Sequence, residues 1–179
     1  MCYWSNRSVA LSLRIADTRE IERWIAAGEV ELGVIGEAPL VPGLVAEPWV
    51  KDELVVIVGR RHPLAARRRL SPAALAAQPL IAREEGSSTR GVAERYLAEV
   101  GVRVAPAMEL GSTEAIREAV AAGLGVAVVS RHAVRSQDRR IVALRPGRRR
   151  WLRDILVARR AATPLGPAAA RFRELLFRR

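Results

Sequence analysis

Val9, Leu11, Leu13 and Ile15 alternate with polar or small residues, the period-two pattern of a strand with one buried face. Asp17 follows as a helix cap, with Glu20 three residues on. Ile21, Trp24 and Ile25 then supply an apolar stripe, and Gly28 stops the helix. A short strand over Glu31 to Ile35 completes a strand–helix–strand unit whose two strands are predicted to run parallel. Gly36-Glu37-Ala38-Pro39 is then a loop at a strand's carboxyl end, where open α/β sheets place ligands. Beyond a connection rich in Pro and Gly, Leu54 to Val58 is uninterruptedly apolar, as in a strand covered on both faces.

The second half repeats one local order. Ser71-Pro72 opens a short helix, and Leu80-Ile81-Ala82 is a strand running through Ser87-Ser88-Thr89 into a helix with Val92, Ala93, Tyr96, Leu97 and Val100 inward. A strand over Val104 to Leu110 then leads through Ser112-Thr113 into a helix built on Ile116, Ala119 and Val120, closed by Gly123. Val126 to Val129 is a buried strand ending at Ser130. A strand over Asp154 to Ala158 and a helix from Pro167, with Phe172, Leu175 and Leu176 inward, complete the chain. They are too few to form a core alone, so they pack back on an earlier lobe and the chain crosses between lobes at least twice.

With 179 residues, half of them hydrophobic, the chain can bury a core of one large or two small lobes. No apolar run approaches the roughly 20 residues of a membrane span, and Met1 to Arg7 lacks a secretory pattern, so the expected location is cytoplasmic. The single Cys2 allows no internal disulfide. His62 and His132 lack metal-ligand spacing, and no cofactor is expected. The net charge of +11 is carried almost wholly by arginine, since Lys51 is the only lysine. The runs Arg60-Arg61, Arg67-Arg68-Arg69 and Arg148-Arg149-Arg150 sit beside turns with little aromatic interleaving, which favours a solvated surface over a base-reading one. Direct DNA contact through them would be weak, salt-sensitive and indifferent to sequence.

Candidate chemistry concentrates at two strand-to-helix junctions. Free amides and the helix dipole at a helix start favour a carboxylate or phosphate, and hydroxyls at Ser87, Ser88, Thr89, Ser112 and Thr113 add donors. The competing reading makes Ser87 or Ser88 and Ser112 simple caps worth about 1 kcal/mol each, and the pattern alone leaves both open. Gly123-Leu124-Gly125 follows a helix and precedes a strand, the reverse of a phosphate-binding turn. No nucleophile-elbow, zinc or P-loop motif occurs, and Glu84-Glu85 is expected to face solvent or pair with Arg83 or Arg90, so an enzyme is not expected.

The ordered segments Asp52-Glu-Leu-Val-Val-Ile-Val, His62-Pro63-Leu64-Ala65, Ser87-Ser88-Thr89-Arg90, Leu110-Gly-Ser-Thr-Glu-Ala-Ile and Ala122-Gly-Leu-Gly-Val-Ala-Val-Val-Ser together resemble the effector-binding domain of LysR-type transcriptional regulators. The resemblance runs from about Val9 to the last helix. It implies a type 2 periplasmic-binding-protein-like α/β fold of two Rossmann-like lobes joined by crossing strands, N-terminally truncated relative to the family. Lobe I would comprise residues 1–59 plus 161–179, without its first strand and helix, and lobe II residues 60–160. It further implies a small, anionic effector bound non-covalently in the interlobe cleft, with Ser87, Ser88, Thr89, Ser112, Thr113 and Ser130 on the lobe II side and Gly36 and Glu37 on the lobe I side. A homodimer through this domain is implied too, with DNA contacted only through a helix-turn-helix domain absent from this chain. A free-standing solute-binding protein of the same fold, or a non-functional fragment of the regulator, are the competing expectations.

Overall fold

Helix α1 (Thr18–Ala27) starts where the capping signal predicts, because Asp17 Oδ1 accepts the Glu20 amide at 3.0 Å, and Gly28 ends it at φ +78°. The computed structural model describes residues 12–134 and 137–178. Strand β1 (Gly33–Ile35) leads into the long β2 (Leu44–Gly59), followed by β3 (Arg69–Leu70), α2 (Pro72–Ala76), β4 (Leu80–Arg83) and α3 (Ser88–Ala98). Then come β5 (Met108–Leu110), α4 (Thr113–Ala121), β6 (Val126–Ser130), β7 (Ile141–Pro146), β8 (Trp151–Arg160) and α5 (Pro167–Phe177). One mixed sheet runs in the order β1-β8-β2-β6-β4-β5, with β7 also pairing β2 and β3 pairing β7.

The long antiparallel pair β2 and β8 organises everything else, in register from Leu44↔Arg160 to Leu54↔Trp151. Leu44 and Ala46 of β2 pack with Leu156 and Ala158 of β8 in a small core beneath Ile21 and Ile25 of α1. At the other end of the same two strands, Leu54, Val56, Val58 and Trp151 enter a core with Val92 and Leu97 of α3. Val55 and Ile57, on the opposite face, meet Ile116 and Val120 of α4. Leu54 to Val58 is thus covered on both faces, as its unbroken apolar run predicts.

Several expectations are corrected. Strand Val9–Ile15 falls partly outside the described residues, and its described part, from residue 12, is irregular, with Leu13 and Ile15 81% and 88% exposed. Alternation confers the potential for a strand, but a strand also needs a partner, and no described strand lies on the outer edge of β1. The parallel strand–helix–strand unit is therefore not formed among the described residues, and β1 pairs antiparallel with β8 instead. The Pro-containing connection before Leu54 is already strand. Pro48 is accommodated because the pairing with β8 shifts register between Pro48 and Val50, the kind of irregularity where a missing N–H costs no ladder bond.

Strands β3 and β7 were not predicted, because proline and arginine interrupt any period there. The strand expected over residues 104–110 shortens to β5. Phe172 and Leu175 of α5 are 36% and 52% exposed rather than inward, and Leu176 is only half-buried. Helix α5 is held instead at its polar positions, by the Glu47–Arg173 ion pair and by Trp49 Nε1 donating to Leu176 O at 2.7 Å.

Candidate functional site

The register that sets Asp52 of β2 opposite Arg153 of β8 creates a buried ion pair where the crossing strands pass α3, with side chains 1% and 10% exposed. Arg153 Nε donates to Asp52 Oδ2 at 2.9 Å. Its Nη1 donates to Ser88 Oγ at 2.9 Å and to Thr89 Oγ1 at 3.0 Å, both at the start of α3. A guanidinium only donates, so these two hydroxyls act as acceptors towards it and their own protons are left to donate to something else. A carboxylate only accepts, so Ser130 donates its single proton to Asp52 Oδ1 at 2.8 Å while accepting the His132 amide. Ser130 is thereby spent on holding Asp52.

Gly36, directly after β1, lets that loop touch the start of α3. A Cβ at Gly36 would overlap Ser88 Oγ and lie 2.9 Å from Arg153 Nη1. Glu37 reaches past it to an ion pair with Arg95 of α3 at 2.5 Å. Between α1, this loop and residues 85–91 lies a cleft of about 340 Å³, lined by Thr18, Arg19, Glu37, Ser87 and Arg90 among others. A larger, more apolar groove of about 640 Å³ continues from it along α3, over Thr89, Leu97 and Val104.

The two serine-bearing helix starts, which read alike in sequence, differ in structure. Ser112 caps α4 through the Ala115 amide at 3.3 Å, and Glu114 adds an acid to that first turn. Ser87 is the N-cap of α3 by position but makes no side-chain cap bond, and no acid stands in its first turn. The start of α3 thus presents first-turn amides without a side-chain cap, backed by a buried cation, an arrangement suited to an anion. Thr113 accepts from Arg83 Nη1 at 3.0 Å, and Arg83 is itself paired with Glu84 at 2.6 Å. Ser112 and Thr113 lie on neither cleft wall described above, and the Ser88 hydroxyl sits just behind the walls, covered by Gly36.

Gly36, Ser88, Thr89 and Ser130 therefore converge on the Asp52–Arg153 pair, Ser87 and Glu37 line the adjoining cleft, and Ser112 and Thr113 belong to the next junction. Sequence reasoning did not select Asp52 and Arg153. The faint signal was the acidic pair Asp52-Glu53 ahead of the apolar run Leu54 to Val58 and an arginine inside the strand Trp151 to Ala158, and only the register shows that Asp52 and Arg153 are partners. His62 is a turn residue, accepting the Leu64 amide at 3.2 Å. Among the described residues no cluster of His, Cys, Asp and Glu could hold a metal.

A mixed sheet spanned by two crossing strands, with the start of α3 set against their buried ion pair and an open cleft beside it, is an α/β architecture of the binding-protein kind. The LysR substrate binding domain model matches residues 5–179, and the chain belongs to that family. A RuBisCO operon transcriptional regulator of Allochromatium vinosum is 36% identical over 94% of this chain and 56% of its own length. The regulator CbbR of Xanthobacter flavus is 37% identical over 80% of this chain and 46% of its own. The chain thus spans about half the length of the curated relatives it matches.

Among solved structures, the Synechocystis PCC6803 CcmR regulatory domain in complex with 2-PG superposes with a TM-score of 0.84 at 31% identity, covering 93% of this chain and 81% of that one. The effector-binding domain of QuiR in complex with shikimate has the same fold, with a TM-score of 0.82 at 20% identity, over 90% of this chain and 77% of that one. The fold is type 2 periplasmic-binding-protein-like, and the relatives are transcriptional regulators rather than enzymes.

Proposed function

We propose that this chain is the effector-sensing part of a LysR-type transcription regulator and that it holds a small organic anion non-covalently at the start of α3. The observation that carries the reading is the uncapped α3 start, where Ser88 and Thr89 take hydrogen bonds from buried Arg153 and keep their hydroxyl protons for a ligand oxyanion. An incoming carboxylate or phosphate would accept from Ser87, from Thr89 on the adjoining groove and from first-turn amides, with Arg19 and Arg90 at the rim, and would reach Ser88 as the Gly36 loop that covers it gives way. The complexes of CcmR with 2-PG (2-phosphoglycolate) and of QuiR with shikimate support a small acid as the ligand class.

In this reading residues 1–59 with 161–179 form one lobe and residues 60–160 the other, and Gly36 and Glu37 meet α3 from the opposite wall. The effector biases how the lobes sit against each other, and in a cytoplasmic homodimer that bias reaches DNA through a separate helix-turn-helix domain. Calorimetric titration of the folded chain with 2-phosphoglycolate, shikimate and related acids tests the reading. Saturable binding of at least one acid, abolished by Arg153→Met, is expected. Heats no larger than dilution for all of them would refute it.

A further inference from the structure

Strand pairing sets two arginine runs, residues 60–61 and 67–69, beside Arg139, Arg145 and Arg148, whereas Arg149 and Arg150 of the third run turn to Glu99 and Glu53. After β2 ends at Gly59, residues 60–70 run beside β7: Gly59 pairs with Ile141 at one end, and Arg69 and Leu70 pair in parallel with Arg145 and Pro146 at the other. Arg60 donates its amide to Arg140 O, and Arg145 donates its amide to Arg68 O. This double track carries Arg60, Arg61, Arg67, Arg68 and Arg69 on one rail and Arg139, Arg145 and Arg148 on or beside the other. All eight are exposed, and none has an ion pair among the described residues. Neither residues 60–70 nor residues 139–149 contain an acid, so most of the net charge of +11 resides here.

That concentration is unfavourable within the chain itself. Arg69 and Arg145 are directly opposed on strands about 4.8 Å apart, where like charges destabilise a sheet. Many arginines elsewhere in this protein are neutralised, as in Glu53 between Arg131 and Arg150 or Glu118 with Arg140. We propose that this track is a docking surface for the phosphate backbone of nucleic acid, contacted without regard to base sequence. β7, from Ile141 to Pro146, extends over about 20 Å at 3.3 Å per residue, a length over which duplex DNA presents about 12 phosphate charges.

The chemistry favours phosphate over an acidic protein. Protein interfaces centre on aromatic or apolar anchors, and no large hydrophobic side chain is exposed on the track, whereas arginine forks fit phosphate oxygens. No Phe, Tyr or Trp stands between the arginines, and the one ring there, His62, is held in its turn by the Leu64 amide, so bases have little to stack on. The inference deepens the regulator reading by giving the sensing domain its own grip on DNA, but it does not use the effector site.

Fluorescence anisotropy of a labelled 25-base-pair duplex of arbitrary sequence, titrated with the 179-residue chain at several salt concentrations and without effector, tests it. Each phosphate contact contributes about 0.9 to the slope of log affinity against log salt. Arg67→Gln, Arg68→Gln and Arg69→Gln together are expected to flatten the slope by about 2 to 3 and to weaken binding at least tenfold at low salt. The melting temperature should be unchanged or higher. Neutralising Arg23, Arg171 and Arg178 removes the same charge elsewhere and is expected to change the slope by less than 1. Equal losses in both variants, or no salt-dependent binding by the wild type, would overturn the assignment. So would tighter binding of polyglutamate than of the duplex through the same arginines, which would make the partner an acidic protein. Failure of effector binding would leave this result untouched, and the reverse also holds.

Discussion

Truncating Asp52 to alanine leaves the Arg153 guanidinium buried with two hydroxyl acceptors and no counter-charge. Asp52 is 1% exposed at its side chain and Arg153 10%, so water cannot replace the lost carboxylate, and Ser130 also loses the acceptor for its proton. Breaking one side of such a pair costs about 3–5 kcal/mol, because the surviving charge stays desolvated. With a urea dependence of roughly 2–3 kcal/mol per molar for a chain of this size, the unfolding midpoint of Asp52→Ala is expected to fall by about 1–2 M with little change in slope. Removing both charges, in Asp52→Ala with Arg153→Met, is expected to recover at least 2 kcal/mol of that loss, since no unpaired ion remains. Urea unfolding followed by circular dichroism on the wild type, both single variants and the double variant reads the coupling directly. A single variant within 1 kcal/mol of wild type, or a double variant no more stable than Asp52→Ala, would refute the claim that a desolvated ion pair ties β2 to β8 here.

Gly36→Ala is expected to destabilise by about 1–3 kcal/mol and to weaken effector binding at least tenfold, because its Cβ overlaps Ser88 Oγ; Ser88→Gly in the same chain should restore stability, and thermal melts with calorimetry check both. Ser112→Ala should cost about 1 kcal/mol of stability and leave effector affinity unchanged, whereas Ser87→Ala, which loses no cap bond, should cost under 0.5 kcal/mol yet reduce affinity. Asp138 is held at a pKa of about 2, below its ordinary 3.8, chiefly by hydrogen bonds from Arg140 and also by Arg117. Because the folded value is the lower one, its stabilisation is complete above about pH 4 and is lost as the pH falls towards 2. Asp138→Asn should lower stability at neutral pH and flatten that part of an acid-unfolding curve, which persists in reduced form through Glu53, held low by Arg150 and Arg131.

The element order was largely legible because apolar periodicity and caps act locally. Asp17, Ser71 and Ser112 each cap the helix they were expected to cap, and Gly28 and Gly123 end helices at positive φ. Pairing was less legible. The strand β2 was seen only from Leu54 onward, because its first half carries Pro48 and faces solvent on one side, where no apolar run is needed. Phe172 and Leu175 have the spacing of a buried stripe, and only the tertiary placement of α5 shows them exposed.

The same limit governs the candidate site. Hydroxyls at helix starts advertise themselves, but whether a serine caps or binds depends on its rotamer and on what stands behind it. At Ser112 the cap forms, and at Ser87 it does not. Asp52 and Arg153 are 101 residues apart and become neighbours only through an antiparallel register that no local pattern encodes.

The central claim, that an organic anion sits on the first turn of α3, is tested most directly by the backbone amide resonances of the folded chain during titration with 2-phosphoglycolate. Large, saturable shifts are expected at Ser88, Thr89 and Arg90, with the Arg153 side-chain resonances moving at the same midpoint and the amides of Glu114 and Ala115 unmoved. Saturable shifts confined to the start of α4, or none at α3 while binding is seen by calorimetry, would contradict it.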